Sequence, residues 1–330
     1  MSFEKTTVPA GKIFIVGAGH VGSHAAFALA SEGLVGEIAL YDIDAVKARA
    51  QAEDLADAVV YQRSRTKIFA AGNYDAARDA DLLVVAAGPL PDIAAGQTDR
   101  AQTLDWTLDV LDGILPKISE SGFHGIIVNI SNPADVITHY IQNELAWAPA
   151  KIFSTSTTLD SARLRRILAQ RLGVAPQSVS ALMLGEHGET QTPAWSLATV
   201  GGEPLPHYIA RNASRLGNVD LDALARESRL TGWRVLGGKG STEFGIAASI
   251  VEVSRAIFRD EKRVLPVAVR LDGQYGQRDV FASVPAVLGA NGIEEIPEFP
   301  LSAEELSALD VSCKKNRALF EKAVARARAK

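Results

Sequence analysis

A single cysteine, Cys313, stands in a chain of 330 residues, which excludes an internal disulfide and a cysteine-built zinc site. No basic block is present: Lys and Arg total 34 against 39 Asp and Glu, a net charge of -5 spread along the chain. That balance argues against nucleic acid or an anionic membrane as the main partner. No apolar run approaches the roughly 20 residues that span a bilayer. The N-terminus, MSFEKTTVPAGK, lacks the apolar core of a signal peptide, so a cytoplasmic location is expected. Internal repeats and low-complexity tracts are absent as well. What remains is a chain 47% hydrophobic and 22% charged, the composition of a globular protein long enough for two packed domains.

The first half alternates short apolar runs with stretches of helical period. Strands are expected over 13–16, 37–41, 67–70, 82–86 and 125–130, with helices between them over 22–32 and 98–119. Apolar runs that do not alternate imply strands buried on both faces, hence an α/β fold: a doubly wound parallel sheet of Rossmann type. The second half reads differently. Helices are expected over 161–172 and 242–258, and strands over 264–271 and 280–287. A last helix should start near Ser302, where Ser-Ala-Glu-Glu has the form of a capping box. Turns are expected at 201–206 and 273–276. The division that follows is a nucleotide-binding domain over 1–150 and a mixed α+β substrate domain over 151–330.

Gly17-Ala18-Gly19-His20-Val21-Gly22 follows directly on the first expected strand. Gly17 allows the tight turn and Gly19 lets the backbone approach a pyrophosphate. Gly22 lets the helix pack on the strand, with its N-terminus facing the negative charge. The second expected strand ends near Asp42, 20 residues after Gly22, where a carboxylate accepts hydrogen bonds from an adenosine ribose. That carboxylate repels a 2′-phosphate, so NAD is favoured over NADP. Asp44, past the strand end, is the poorer ribose partner. Ala87 and Gly88 end a later strand and should line the same crevice. Asn132, in Ile-Ser-Asn-Pro, either bonds the nicotinamide region or the substrate, or N-caps the helix after Pro133.

His187 lies in Gly185-Glu186-His187-Gly188, a segment with little side-chain cover, so it is either open to a ligand or a hydrogen-bonded loop residue. Asp160 and Arg163 lie three residues apart at the start of a helix and share one face, as functional groups or as a surface ion pair. Taken with the glycine motif, Asp42 and Ile-Ser-Asn-Pro, these segments resemble the lactate/malate dehydrogenase family over nearly the whole chain. The resemblance implies that His187 exchanges a proton with the substrate oxygen and that Asp160 holds its imidazole. It makes Arg163 the clamp for the substrate carboxylate and Arg100 the arginine of a mobile loop that polarises the carbonyl. Thr242 matches a position beside the substrate side chain, or caps the helix that follows it. A homodimer or homotetramer is implied too, and no metal.

Eleven residues separate Gly88 from Arg100, more than in many members, and the segment 89–99 contains no lysine or arginine. A second substrate carboxylate would therefore meet no cation, which disfavours malate. The length and apolar character of the segment are similar to those of the L-2-hydroxyisocaproate dehydrogenase branch. The implied substrate is a small 2-oxo or 2-hydroxy monocarboxylic acid with a medium or branched apolar side chain. Pyruvate and L-lactate are the alternative; malate, or an inactive NAD-binding sensor, ranks lower. Serines occupy 154 and 156 where glycines are more usual in the family, and Glu243 stands where a small or neutral residue is commoner. Arg165 matches an arginine that binds fructose 1,6-bisphosphate in some relatives, but Ser180 replaces their histidine, so no such activation is expected.

Overall fold

The computed structural model describes residues 10–89 and 100–329. Its first half runs β1 (Lys12–Val16), α1 (His20–Glu32), β2 (Glu37–Tyr41), α2 (Ala45–Val59), β3 (Lys67–Ala70) and β4 (Leu82–Val85). Then follow α3 (Leu104–Asp112), α4 (Leu115–Glu120), β5 (Ile126–Asn129), α5 (Ala134–Leu145) and β6 (Ile152–Ser154). The six strands are parallel and ordered 3-2-1-4-5-6, the doubly wound arrangement expected from their apolar runs. Successive residues of β1 face opposite layers. Ile13 and Ile15 join a core with α1 and the helix 243–258, whereas Phe14 and Val16 join one with α3, α4 and α5.

Five elements depart from the sequence expectation. The helix expected over 98–119 is broken, within its described part, into a 3₁₀ turn at Arg100–Thr103, then α3 and α4. Pro116 cannot donate to the preceding turn and so starts a new helix instead of continuing the old one. Strand β4 ends one residue sooner than expected, and β5 is shorter by one residue at each end. Helix α1 begins at His20 rather than Gly22. The turn at 201–206 is only Gly201-Gly202, since Glu203 already pairs with Val200 and Leu205 begins a helix.

The second half opens with α6 (Thr158–Leu172), which starts early enough to carry Asp160 in its first turn. Short strands follow: β7 (Val179–Ser180), β8 (Met183–Leu184), β9 (Thr192–Pro193), β10 (Thr199–Val200) and β11 (Glu203–Pro204). Helices α7 (Leu205–Arg211), α8 (Ala213–Leu216), α9 (Leu221–Lys239) and α10 (Glu243–Phe258) lead to β12 (Arg263–Asp272), β13 (Arg278–Gly289), β14 (Gly292–Glu295) and α11 (Ala303–Ala329). The last helix is capped as its sequence implies: Glu305 N–H donates to Ser302 Oγ at 3.2 Å and Ser302 N–H donates to Glu305 Oε2 at 2.8 Å. Strand β12 joins β6 antiparallel through Ala268 and Ser154, so one nine-stranded sheet crosses the middle of the chain. Among the described residues no helix is long and apolar enough to cross a membrane.

Candidate active site

The turn after β1 is shaped by two glycines of different kinds. Gly17 has φ of 103°, and a Cβ on it would lie 2.5 Å from Ala86 O. A Cβ on Gly22 would lie 1.8 Å from Gly17 O, so the helix could not pack where it does. Among the described residues, nothing stands nearer to where a Cβ on Gly19 would be than Lys47 Nζ, at 3.8 Å. Its missing side chain leaves open the space a pyrophosphate would fill at the uncapped start of α1. Asp42 Oδ2 accepts from Ala18 N–H at 2.8 Å, tying the end of β2 to this turn. Asp44 instead caps α2, its Oδ1 accepting from Val46 and Lys47 N–H. Gly17, Gly19, Asp42, Ala87 and Gly88 all border one cleft of about 420 Å³ outside the carboxyl ends of the parallel strands. His20 is exposed on α1, and Val21 points into a second, inner cavity.

That inner cavity brings together Asn132, Arg163, His187 and Thr242, residues from four separate segments. Asp160 lies directly behind it, 1% exposed. Its Oδ2 sits 2.5 Å from His187 Nδ1, and its Oδ1 accepts from Arg163 Nη1 at 2.8 Å. An ionised carboxylate can only accept, so Nδ1 carries the hydrogen and Nε2 is left for a ligand. Because Asp160 and Arg163 are both buried, the alternative of a surface ion pair is excluded.

Asn132 precedes the helix cap, which is Pro133, so it is not the N-cap of α5. Its Oδ1 is buried and has no hydrogen-bond partner among the described residues, so this amide is free to bond a ligand. Thr242 does occupy the N-cap position of α10, but its side chain makes no capping bond and instead lines the cavity. Arg100 opens the 3₁₀ turn before α3, and its side chain lies outside the described part, as does the segment 90–99 on which the substrate expectation rests. Arg165 donates to the carbonyls of Val179 and Pro176, and Ser180 is exposed on β7. Both border another cavity of about 560 Å³, which shares only Leu159 with the lining around His187.

Two residues of the site were not singled out by their sequence. Asp135, in the first turn of α5, accepts from His187 backbone N–H at 2.7 Å. Thr107 on α3 donates to Asn132 O at 2.8 Å and so links the element after Arg100 to the Asn132 peptide. An acid in a helix's first turn and a threonine in a helix interior have ordinary local explanations, so only the tertiary contacts reveal them.

The family model for the NAD binding domain of lactate/malate dehydrogenases matches residues 11–154, and that for their alpha/beta C-terminal domain matches 157–327. The chain is 38% identical over 296 residues to L-lactate dehydrogenase 3 of Bacillus thuringiensis subsp. konkukian, covering 90% of this chain and 92% of that protein. It is 36% identical over 303 residues to L-lactate dehydrogenase 1 of Bifidobacterium longum, covering 92% and 95%. Among solved structures, the minor L-lactate dehydrogenase of Enterococcus mundtii superposes with a TM-score of 0.89 at 33% identity, covering 95% of this chain and 98% of that one. A malate dehydrogenase of Cryptosporidium parvum superposes with a TM-score of 0.90 at 28% identity, covering 96% and 99%.

Proposed function

Because the chain belongs to the lactate/malate dehydrogenase family, and is thereby an NAD-dependent 2-hydroxy-acid dehydrogenase, we propose that it interconverts pyruvate and L-lactate at His187. The observation that carries this reading is the buried Asp160, which holds His187 on one oxygen and Arg163 on the other. NAD, when bound, supplies or accepts the hydride. Gly17, Gly19, Gly22, Asp42, Ala87 and Gly88 would hold its adenosine and pyrophosphate, with His20 and Val21 at the start of α1. Asn132 would meet its nicotinamide end or the substrate. Arg163, steadied by Asp160, offers its remaining N–H groups to the substrate carboxylate.

In the reducing direction His187 Nε2 donates a proton to the keto oxygen, and in the oxidising direction it takes one from the hydroxyl. Asp160 accepts the hydrogen on Nδ1, which fixes the ring so that Nε2 faces the substrate oxygen. Arg100 would close over the carbonyl and oppose the negative charge that develops there. Thr242 forms the wall beside the substrate side chain. The names of the relatives support pyruvate. The longer, apolar segment 89–99 supports a second reading, a 2-oxo acid with a branched side chain of the 2-oxoisocaproate kind. Its lack of lysine and arginine speaks against oxaloacetate.

The measurement that decides is kcat/KM with NADH for pyruvate, 2-oxoisocaproate, phenylpyruvate and oxaloacetate. Pyruvate should lead and oxaloacetate should trail. Preference for 2-oxoisocaproate would establish the second reading, and preference for oxaloacetate would defeat both. We further place the domain boundary near residue 150, and expect a homodimer or homotetramer in the cytoplasm.

A further inference from the structure

The imidazole of His187 is held by Asp160, but its backbone stands in a weak place. Residues 185–188 contain two glycines, so the segment has little stiffness of its own. Gly185 is tied to Ser283 by two backbone hydrogen bonds, and the His187 amide itself is held by a second carboxylate. Asp135, 2% exposed at the start of α5, accepts from His187 N–H through Oδ2 at 2.7 Å. Its other oxygen, Oδ1, accepts from Ser156 Oγ–H at 2.6 Å. Ser156, also 2% exposed, lines the same cavity as His187 and Asn132.

Ser156 has φ of 38°, a left-handed conformation that costs backbone energy for any residue with a Cβ. Glycine would adopt it freely, so serine is unfavourable there unless its hydroxyl is needed. The structure shows one use for that hydroxyl, the bond to Asp135. Burial pushes the Asp135 carboxyl up to about 6, and the hydrogen bonds from Ser156 and His187 oppose that rise. The other ionisable groups around it are Glu186 of the same loop and Cys313 of α11. The ionised carboxylate can accept from both donors at once, and the Ser156 bond keeps it aimed at the histidine amide.

We propose that Asp135 and Ser156 form a second positioning device for His187, acting on its backbone where Asp160 acts on its ring. The proposal rests on the acid–base role of His187 given above. Neither residue donates or accepts the transferred proton; they set where Nε2 stands relative to the substrate oxygen.

The test is Ser156→Gly beside Ser156→Ala. Glycine removes the hydroxyl and relieves the backbone, whereas alanine removes the hydroxyl and leaves the backbone cost. Both variants should lose at least about tenfold in kcat for pyruvate reduction, since small misplacements of a reacting group are expensive. The KM for NADH should not move, and the primary deuterium isotope effect with deuterated NADH should rise as chemistry becomes limiting. Ser156→Gly should keep its melting temperature within about 3 °C of the unaltered protein, because relief of strain offsets the lost bond. Backbone amides over 185–188 should exchange hydrogen about tenfold faster. Asp135→Asn should lose as much as either, and its combination with Ser156→Gly should lose no more than Asp135→Asn alone, since one path serves both.

A glycine variant within twofold of the unaltered kcat overturns the proposal, and so does a loss confined to alanine, which would mark strain alone. Additive losses in the double variant overturn it too. If the unaltered protein oxidises NADH with no 2-oxo acid, the dehydrogenase reading fails and the proposal falls with it. If the unaltered protein turns over and the variants match it, the proposal alone fails.

Discussion

One carboxylate holding two partners explains why so few residues suffice around the cavity of His187. Asp160 is out of water, and its charge is met by His187 on one side and Arg163 on the other. Removing either partner would leave a buried charge half-compensated, so the three residues act as a unit. His187→Asn preserves a hydrogen bond to Asp160 but cannot exchange a proton at the position of Nε2. The expected loss is about 10²–10⁴-fold in kcat, the usual worth of general acid–base catalysis, with NADH affinity unchanged. Steady-state rates with pyruvate, and fluorescence titration of NADH, would check both halves; a variant with near-full kcat would remove His187 from the chemistry. His187, Asp160 and Arg163 were singled out by the family resemblance of the motifs that carry them, and the structure brings the three into contact. Asp135 was not singled out, because an acid at a helix start reads as a dipole partner; Ser156 stood out only as a serine where glycine is usual, and its use emerged only with its φ and its bond to Asp135.

At the scale of elements, helix α10 shows how a turn can be fixed beside the cavity. Glu243, the first residue of the helix, is buried and accepts from Ser241 Oγ–H at 2.6 Å while pairing with Lys239 Nζ at 2.9 Å. This clip closes residues 239–243 and holds Thr242, which makes no capping bond, against the cavity that His187 and Arg163 line. Burial alone would raise the Glu243 carboxyl, but the bonds from Lys239 and Ser241 outweigh it and bring it down to about 2 from the ordinary 4.5. A carboxylate lowered in the folded state stabilises the fold above its unfolded value, and that benefit is lost as pH falls through the folded one. Glu243→Gln should therefore lower the melting temperature at neutral pH, with the gap to the unaltered protein closing between about 4.5 and 2. A gap that stays constant through that window would show that the charge of Glu243 contributes nothing. The same scale holds the main error of sequence reading, the helix over 98–119. Its apolar period is real, but a period cannot register that Pro116 forces a restart.

For the whole molecule, the two halves share one sheet and continuous cores. Strand β13 comes from the second half, yet Phe281 on it is 1% exposed among residues of β1, β4, α3 and α5. Phe281→Ala should cost about 3–5 kcal/mol, the range for deleting a buried phenyl ring. Because the cavity lies at the seam between the halves, denaturant midpoints followed by tryptophan fluorescence and by NADH binding should shift together. A shift in one probe alone would show that the halves respond separately. The ion pair of Arg255 with Glu32 crosses the same seam, joining α10 to α1.

By itself the sequence determined the parallel sheet and the glycine turn with Asp42, and through the family resemblance it singled out His187, Asp160 and Arg163. The sheet and the turn follow from hydrophobic burial on both strand faces and from groups that few other residue types can supply. Only the tertiary structure decided that β12 extends the first-half sheet and that Asn132 leaves its oxygen unpaired instead of capping α5. It alone brought Asp135 and Ser156 behind His187, because contacts across 21 and 52 residues depend on how α5, β6 and the 185–188 loop pack, not on any local pattern.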